Sequence, residues 1–123
     1  MQPVLIVEDN TDLQDIYKIA FNNASIPIEI RSNGLDALAE VKKMKPSLIL
    51  LDILMPDING IKFLELVNNT NVMNVPVIVC SNLSDKETMD KCKELGVIDY
   101  IVKADVDISD IVKRVKQFFD TGK

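Results

Sequence analysis

Residues 48–52 read Leu48-Ile49-Leu50-Leu51-Asp52, four apolar residues in a row closed by a carboxylate. A strand with one wet face alternates polar and apolar residues, whereas an unbroken apolar run suits a strand buried on both faces. The same signature stands at Val4-Leu5-Ile6-Val7, closed by Glu8-Asp9. Both runs are predicted to be central strands of a sheet covered on both sides.

Working outward, shorter apolar runs rich in β-branched residues recur at Ile28 to Ile30, Val77 to Cys80 and Tyr100 to Val102. Ile28-Glu29-Ile30-Arg31 alternates and reads as an edge strand. Between the runs, apolar residues fall at helical spacing: Leu13, Ile16 and Ala20; Leu35, Leu38 and Val41; Ile61, Leu64 and Val67; Met89, Cys92 and Leu95. Ile108, Ile111, Val112, Val115, Phe118 and Phe119 mark a fifth helix, with Lys113, Arg114 and Lys116 on its solvated side. Regular alternation of strand and helix predicts the α/β class, with a five-stranded parallel sheet joined by right-handed crossovers and helices on both faces. Repeats, low-complexity tracts and linkers are missing from the sequence. The whole chain, 1–123, reads as a single domain, its tail Asp120-Thr121-Gly122-Lys123 leaving no room for a second.

The bulk numbers agree and exclude several functions. A length of 123 residues with 47% hydrophobic content supports one packed core, mostly aliphatic since the chain has no Trp, two Tyr and four Phe. A net charge of −5 argues against non-specific nucleic-acid binding, which needs clustered cations, and against anionic membranes. Met1-Gln2-Pro3 leads straight into a short apolar run unlike a signal peptide, and no run is long enough to span a bilayer. Cys80 and Cys92 form no CxxC pair, which fits a reduced, cytoplasmic setting. With no histidine in the chain, His-based zinc sites, Ser-His and Cys-His nucleophile pairs, and an internal phosphohistidine are all excluded.

In an open α/β sheet the functional crevice lies beyond the carboxyl ends of the strands. Here those ends deliver Glu8 and Asp9, Asp52, Ser81 and Lys103 to one edge. Clustered carboxylates repel one another unless a cation neutralises them. Mg²⁺, which takes a few carboxylate oxygens plus waters and phosphate, suits this set, with a backbone carbonyl after Asp52 as a further ligand. One carboxylate can then attack a phosphoryl group in line, with Lys103 and Ser81 holding its oxygens. Each piece also has a plainer reading. Asp9, Asn10, Thr11 or Asp12 can cap the first helix, Asp52 can begin a turn, and Ser84-Asp85-Lys86-Glu87 resembles a capping box. Independent caps, however, have no reason to gather three acids and a lysine at the same edge.

These residues resemble the receiver domain of bacterial two-component response regulators over nearly the whole chain. The matching pieces are Val4-Leu5-Ile6-Val7-Glu8-Asp9, the run from Leu51-Asp52 through Met55-Pro56-Asp57 to Asn59-Gly60, Val79-Cys80-Ser81, and Tyr100-Ile101-Val102-Lys103. The resemblance implies a flavodoxin-like (βα)5 fold with strand order 2-1-3-4-5. It implies Asp52 as phosphoacceptor, Glu8, Asp9, Asp52 and the Leu54 carbonyl around Mg²⁺, and Lys103 and Ser81 on the phosphoryl oxygens. Ser81 and Tyr100 would form the switch acting on the face of helix four, strand five and helix five. The implied partners are a histidine kinase or histidine phosphotransfer protein as donor and a downstream protein as target. The chain would catalyse only its own phosphorylation and dephosphorylation. Two features depart from the pattern: Ala104 follows Lys103 where most receivers have proline, and a cis bond there would cost about 3 kcal/mol. Leu54 and Leu83 are apolar where many receivers are polar, and are expected to shield a phosphoryl group from water.

Other classes compete. A flavodoxin-like flavin binder would need a first loop that accepts phosphate, but Glu8-Asp9-Asn10-Thr11-Asp12 is acidic. A phosphatase of the haloacid-dehalogenase type would need a second acid where Leu54 stands. A receiver fold serving only as an unphosphorylated binding module would leave the charge repulsion in the acidic cluster without a purpose.

Overall fold

The computed structural model describes residues 2–69 and 75–121, so Met1, Gly122 and Lys123, read above as part of the two chain ends, lie outside it. Strands and helices alternate throughout: β1 (Val4–Val7), α1 (Thr11–Asn23), β2 (Ile28–Arg31), α2 (Gly34–Met44), β3 (Leu48–Leu51), α3 (Gly60–Asn69), β4 (Val77–Ser81), α4 (Lys86–Glu94), β5 (Asp99–Val102) and α5 (Ile108–Thr121). The five strands form one parallel sheet in the order β2-β1-β3-β4-β5, so the expected α/β class and strand order are observed.

The unbroken apolar runs explain the two-sided core. Successive strand residues point to opposite faces. Leu5, Val7, Ile49, Leu51, Val77 and Val79 therefore face one cluster, closed by Ala37 and Val41 of α2, Phe63, Leu64 and Val67 of α3, and Cys92 of α4. Val4, Ile6, Leu48, Leu50, Ile78, Cys80 and Ile101 face the other, closed by Tyr17 and Phe21 of α1 and Ile111 and Val115 of α5. Every residue of β1, β3 and β4 is buried, whereas β2 and β5 at the edges are only partly covered.

Helix starts follow local side-chain chemistry. Asn10 caps α1 by accepting from Leu13 N at 2.9 Å, which resolves the four-way choice from 9 to 12. The capping box expected at Ser84 and Glu87 is not used. Asp85 caps α4 instead, accepting from Thr88 N at 3.0 Å and from the Thr88 hydroxyl at 2.8 Å. A carboxylate there satisfies two donors and meets the positive end of the helix dipole, which a serine hydroxyl does less well. Leu95, read as helical, is the C-cap of α4. After Lys103 the chain makes a single 3-10 turn, Lys103–Asp105, before α5, and the described residues contain no cis peptide. Lys113, Arg114 and Lys116 are exposed as expected, and Arg114 also pairs with Asp99 at 2.7 Å.

Candidate functional site

The sheet register sets the site. Val7 pairs with Leu51, so Glu8 and Asp52 leave adjacent parallel strands at the same level. Leu51 pairs with Val79 and Val79 with Tyr100, so the Asp52 row continues through Cys80 to Ile101. Ser81 stands one residue beyond that row on its strand and Lys103 two. A short cation there would miss the carboxylates; the four-carbon stem of Lys103 folds back and reaches both. Its ammonium lies 2.6 Å from Glu8 Oε1 and 2.7 Å from Asp52 Oδ2.

Glu8 and Asp52 are buried, and each retains one further backbone donor. Asn10 N donates to Glu8 Oε2 at 3.1 Å, and Leu54 N donates to Asp52 Oδ1 at 3.1 Å. Buried charges persist only when paired and hydrogen-bonded, and here each carboxylate has an N–H and an ammonium. Burial by itself would lower the Lys103 pKa; hydrogen bonds and charge from Asp52 and Glu8 outweigh it, so the ammonium is held more firmly than in water.

Asp9, exposed, completes the cluster: one carboxylate oxygen each from Glu8, Asp9 and Asp52 can lie within 4.8 Å of one another. Three carboxylates against one ammonium leave a surplus of two negative charges, which matches a single divalent cation. The donors are all hard oxygens, the set that Mg²⁺ favours over softer-ligand metals. The acidic cluster thus fits the Mg²⁺-binding acidic pocket of receiver domains.

Ser81 is fully buried, and its hydroxyl accepts from Leu83 N at 3.3 Å. The Tyr100 hydroxyl donates to the Leu83 carbonyl at 2.6 Å, so β5 and the loop after β4 are tied together two residues from Ser81. Burial, with the charges of Cys92, Asp85 and Asp52, pushes the Tyr100 phenol up to about 12, which keeps it a donor. Beneath the carboxylates, Tyr17 and Cys80 touch at 3.8 Å, and burial pushes the Cys80 thiol up to about 11, so the floor of the site stays neutral.

Glu8, Asp9, Asp52, Ser81 and Lys103 thus lie at one edge of the sheet, Tyr100 stands inside β5 and reaches the loop after β4 through its hydroxyl, and Leu54 follows two residues past Asp52 with its side chain exposed. Two residues went unnoticed as contributors. Gln14 donates through Nε2 to the Glu8 carbonyl and to Ser32 Oγ, and Asp57 accepts from Gly34 N and Leu35 N. Neither contact has a local sequence signal, since Asp57 and Gly34 are 23 residues apart.

Comparison with known proteins agrees with this geometry. Residues 4–116 match the family model described as response regulator receiver domain. The chain is 30% identical over 117 residues to sporulation initiation phosphotransferase F of Bacillus subtilis, covering 95% of this chain and 93% of that protein. It is 36% identical over 105 residues to the protein-glutamate methylesterase/protein-glutamine glutaminase of Treponema denticola, covering 81% of this chain but only 28% of that protein. Against the transcriptional regulatory protein CrdR of Helicobacter pylori, 26% identical, it spans 54% of the relative's length. The receiver domain of the Francisella response regulator 1452 superposes with a TM-score of 0.89 at 26% identity over the whole of both chains. The family match begins with the first residue of β1 and ends inside α5, taking in the entire sheet: the chain belongs to the response regulator receiver domains of two-component systems.

Proposed function

We propose that this receiver takes a phosphoryl group onto Asp52 in a Mg²⁺-dependent step and thereby alters the face of α4, β5 and α5 that a downstream protein reads. The observation that carries this is the pair of hydrogen bonds from the Lys103 ammonium to Glu8 and Asp52, which gathers two buried carboxylates and a cation at the sheet edge. Asp52 is the nucleophile. Its oxygen forms a bond to phosphorus while the phosphorus–nitrogen bond of the donor phosphohistidine breaks, and the electron pair returns to the imidazole, which takes a proton from water. The chain has no histidine of its own, so the donor is a separate histidine kinase or phosphotransfer protein, or a small phosphodonor.

In this reading Glu8, Asp9, Asp52 and the Leu54 carbonyl hold Mg²⁺, which when bound supplies the positive charge that offsets the phosphoryl oxygens. Lys103 exchanges Asp52 Oδ2 for a phosphoryl oxygen, keeping its bond to Glu8. The Ser81 hydroxyl turns to donate to another. Because Leu83 touches both Ser81 and Tyr100, that turn shifts the loop after β4 and the Tyr100 ring together, and so biases the partner-binding face. The whole chain, 1–123, acts as one receiver, and the exchange takes place in the cytoplasm, where the free thiols Cys80 and Cys92 stay reduced. A net charge of −5 disfavours non-specific binding to nucleic acid and to anionic membranes.

After incubation with acetyl phosphate and Mg²⁺, borohydride trapping and peptide mapping should place the acyl phosphate at Asp52; modification at another carboxylate would refute the assignment. Leu54 and Leu83 shield that adduct from water, and the Leu54→Asn, Leu83→Glu double variant should lose it faster than wild type. Slower loss from the double variant would remove the shielding role.

A further inference from the structure

The loop between Leu51 and Gly60 carries Asp52 and Leu54 but contains no regular structure of its own, so something outside it must fix its path. Asp57 supplies that anchor. Its Oδ1 accepts from Gly34 N and its Oδ2 from Leu35 N, both at 2.9 Å. These are the first two amides of α2, donors that a helix cannot satisfy internally, and they lie at the positive end of its dipole. Slight burial works against the Asp57 charge, but the N–H groups of Leu35 and Gly34 prevail and hold the carboxyl below its ordinary range.

The contact is tight as well as charged. A Cβ on Gly34 would collide with Ile58 Cγ1 and come within 3.3 Å of Met55 Cε, so glycine is what allows the loop to lie flat on the helix end. Two residues before Gly34, Ser32 is hydrogen-bonded to Gln14, which also donates to the Glu8 carbonyl. Ser32 on one side of Asn33 and the Gly34 and Leu35 amides on the other thus form a shared brace. One end holds the strand end that bears Glu8 and Asp9, and the other holds the loop that bears Leu54.

We infer that Asp57 is a positioning residue for the Mg²⁺ site: by clamping the loop after β3 onto the start of α2, it sets where Leu54 stands relative to Glu8, Asp9 and Asp52. This rests on the Mg²⁺ site proposed above. Residues that orient a metal's ligands commonly carry a ten- to hundredfold effect on affinity.

The test is Mg²⁺ affinity by titration calorimetry, without phosphodonor, on wild type, Asp57→Ala, Asp57→Asn, Gly34→Ala and Asn33→Ala. Asn33 caps the same helix through Asp36 N at 2.8 Å and has no hydrogen bond to the loop among the described residues, so its removal reports mainly loss of helix stability. Asp57→Ala and Gly34→Ala should weaken binding about tenfold, Asp57→Asn less, since it keeps one acceptor oxygen, and Asn33→Ala by less than about twofold. If Asp57→Ala does not fold, Gly34→Ala and Asp57→Asn decide the matter. Undiminished affinity in the loop variants, or an equal loss in Asn33→Ala, would overturn the positioning role while leaving the site intact. No Mg²⁺ binding by wild type would overturn the site itself, and the positioning role with it.

Discussion

Lys103 is the residue on which the chemistry turns. It acts as an internal cation for two buried carboxylates, offsetting one of the negative charges gathered at the sheet edge. Replacing it by a neutral side chain of similar shape leaves Glu8 and Asp52 facing each other unpaired, a disruption that costs about 3 kcal/mol or more in buried settings. Lys103→Met should therefore lower the unfolding free energy in urea by about that amount in chelated buffer, with much of the loss restored by Mg²⁺. The same loss with and without Mg²⁺ would show that the carboxylates do not share a metal. The sequence placed Lys103 at the right edge because it follows an apolar strand. It did not reveal that one ammonium binds Glu8 and Asp52, 95 and 51 residues away, since that depends on the offset between strands.

At the scale of elements, the strands were legible because burial on both faces leaves no polar residue in β1 or β3 to blur the pattern, and the acid that ends each run falls in the acidic cluster. Helix starts were less legible. Ser84 and Asp85 both qualify as caps by residue type, and only the backbone path selects Asp85. Least legible was the loop after β3, whose fold depends on α2 and on its own close return. Gly60 N donates to the Ile53 carbonyl at 2.8 Å, and a Cβ on Gly60 would stand 2.7 Å from Ile53 Cα and 3.1 Å from the Asp52 carbonyl. The obstruction is backbone, which cannot swing aside. Gly60→Ala should cost about 2 kcal/mol of stability in urea unfolding, as overpacking does. A loss below about 0.5 kcal/mol would mean the loop relaxes freely and does not hold Asp52 in place.

For the whole molecule, one sheet shares its two faces between two cores, and this sharing is what brings four strand ends into a single site. Phe21 fills one core and Phe63 the other, both fully buried. Truncating either to alanine should cost about 3–5 kcal/mol, and far-UV and near-UV signals should still unfold together because neither core exists without the sheet. Separate transitions would indicate two units. The α/β class and the parallel sheet were legible from the alternation of elements and the strand order from the family resemblance; the functional consequence needed the register. Whether this edge is a Mg²⁺-dependent phosphoacceptor is decided by intact mass after incubation with acetyl phosphate, with and without Mg²⁺, beside Asp52→Asn. A single phosphoryl adduct on wild type, dependent on Mg²⁺ and absent from the variant, is the predicted result. No adduct on wild type, with Mg²⁺ binding verified and phosphoramidate also inactive, would contradict it and point to a receiver fold that works by binding alone.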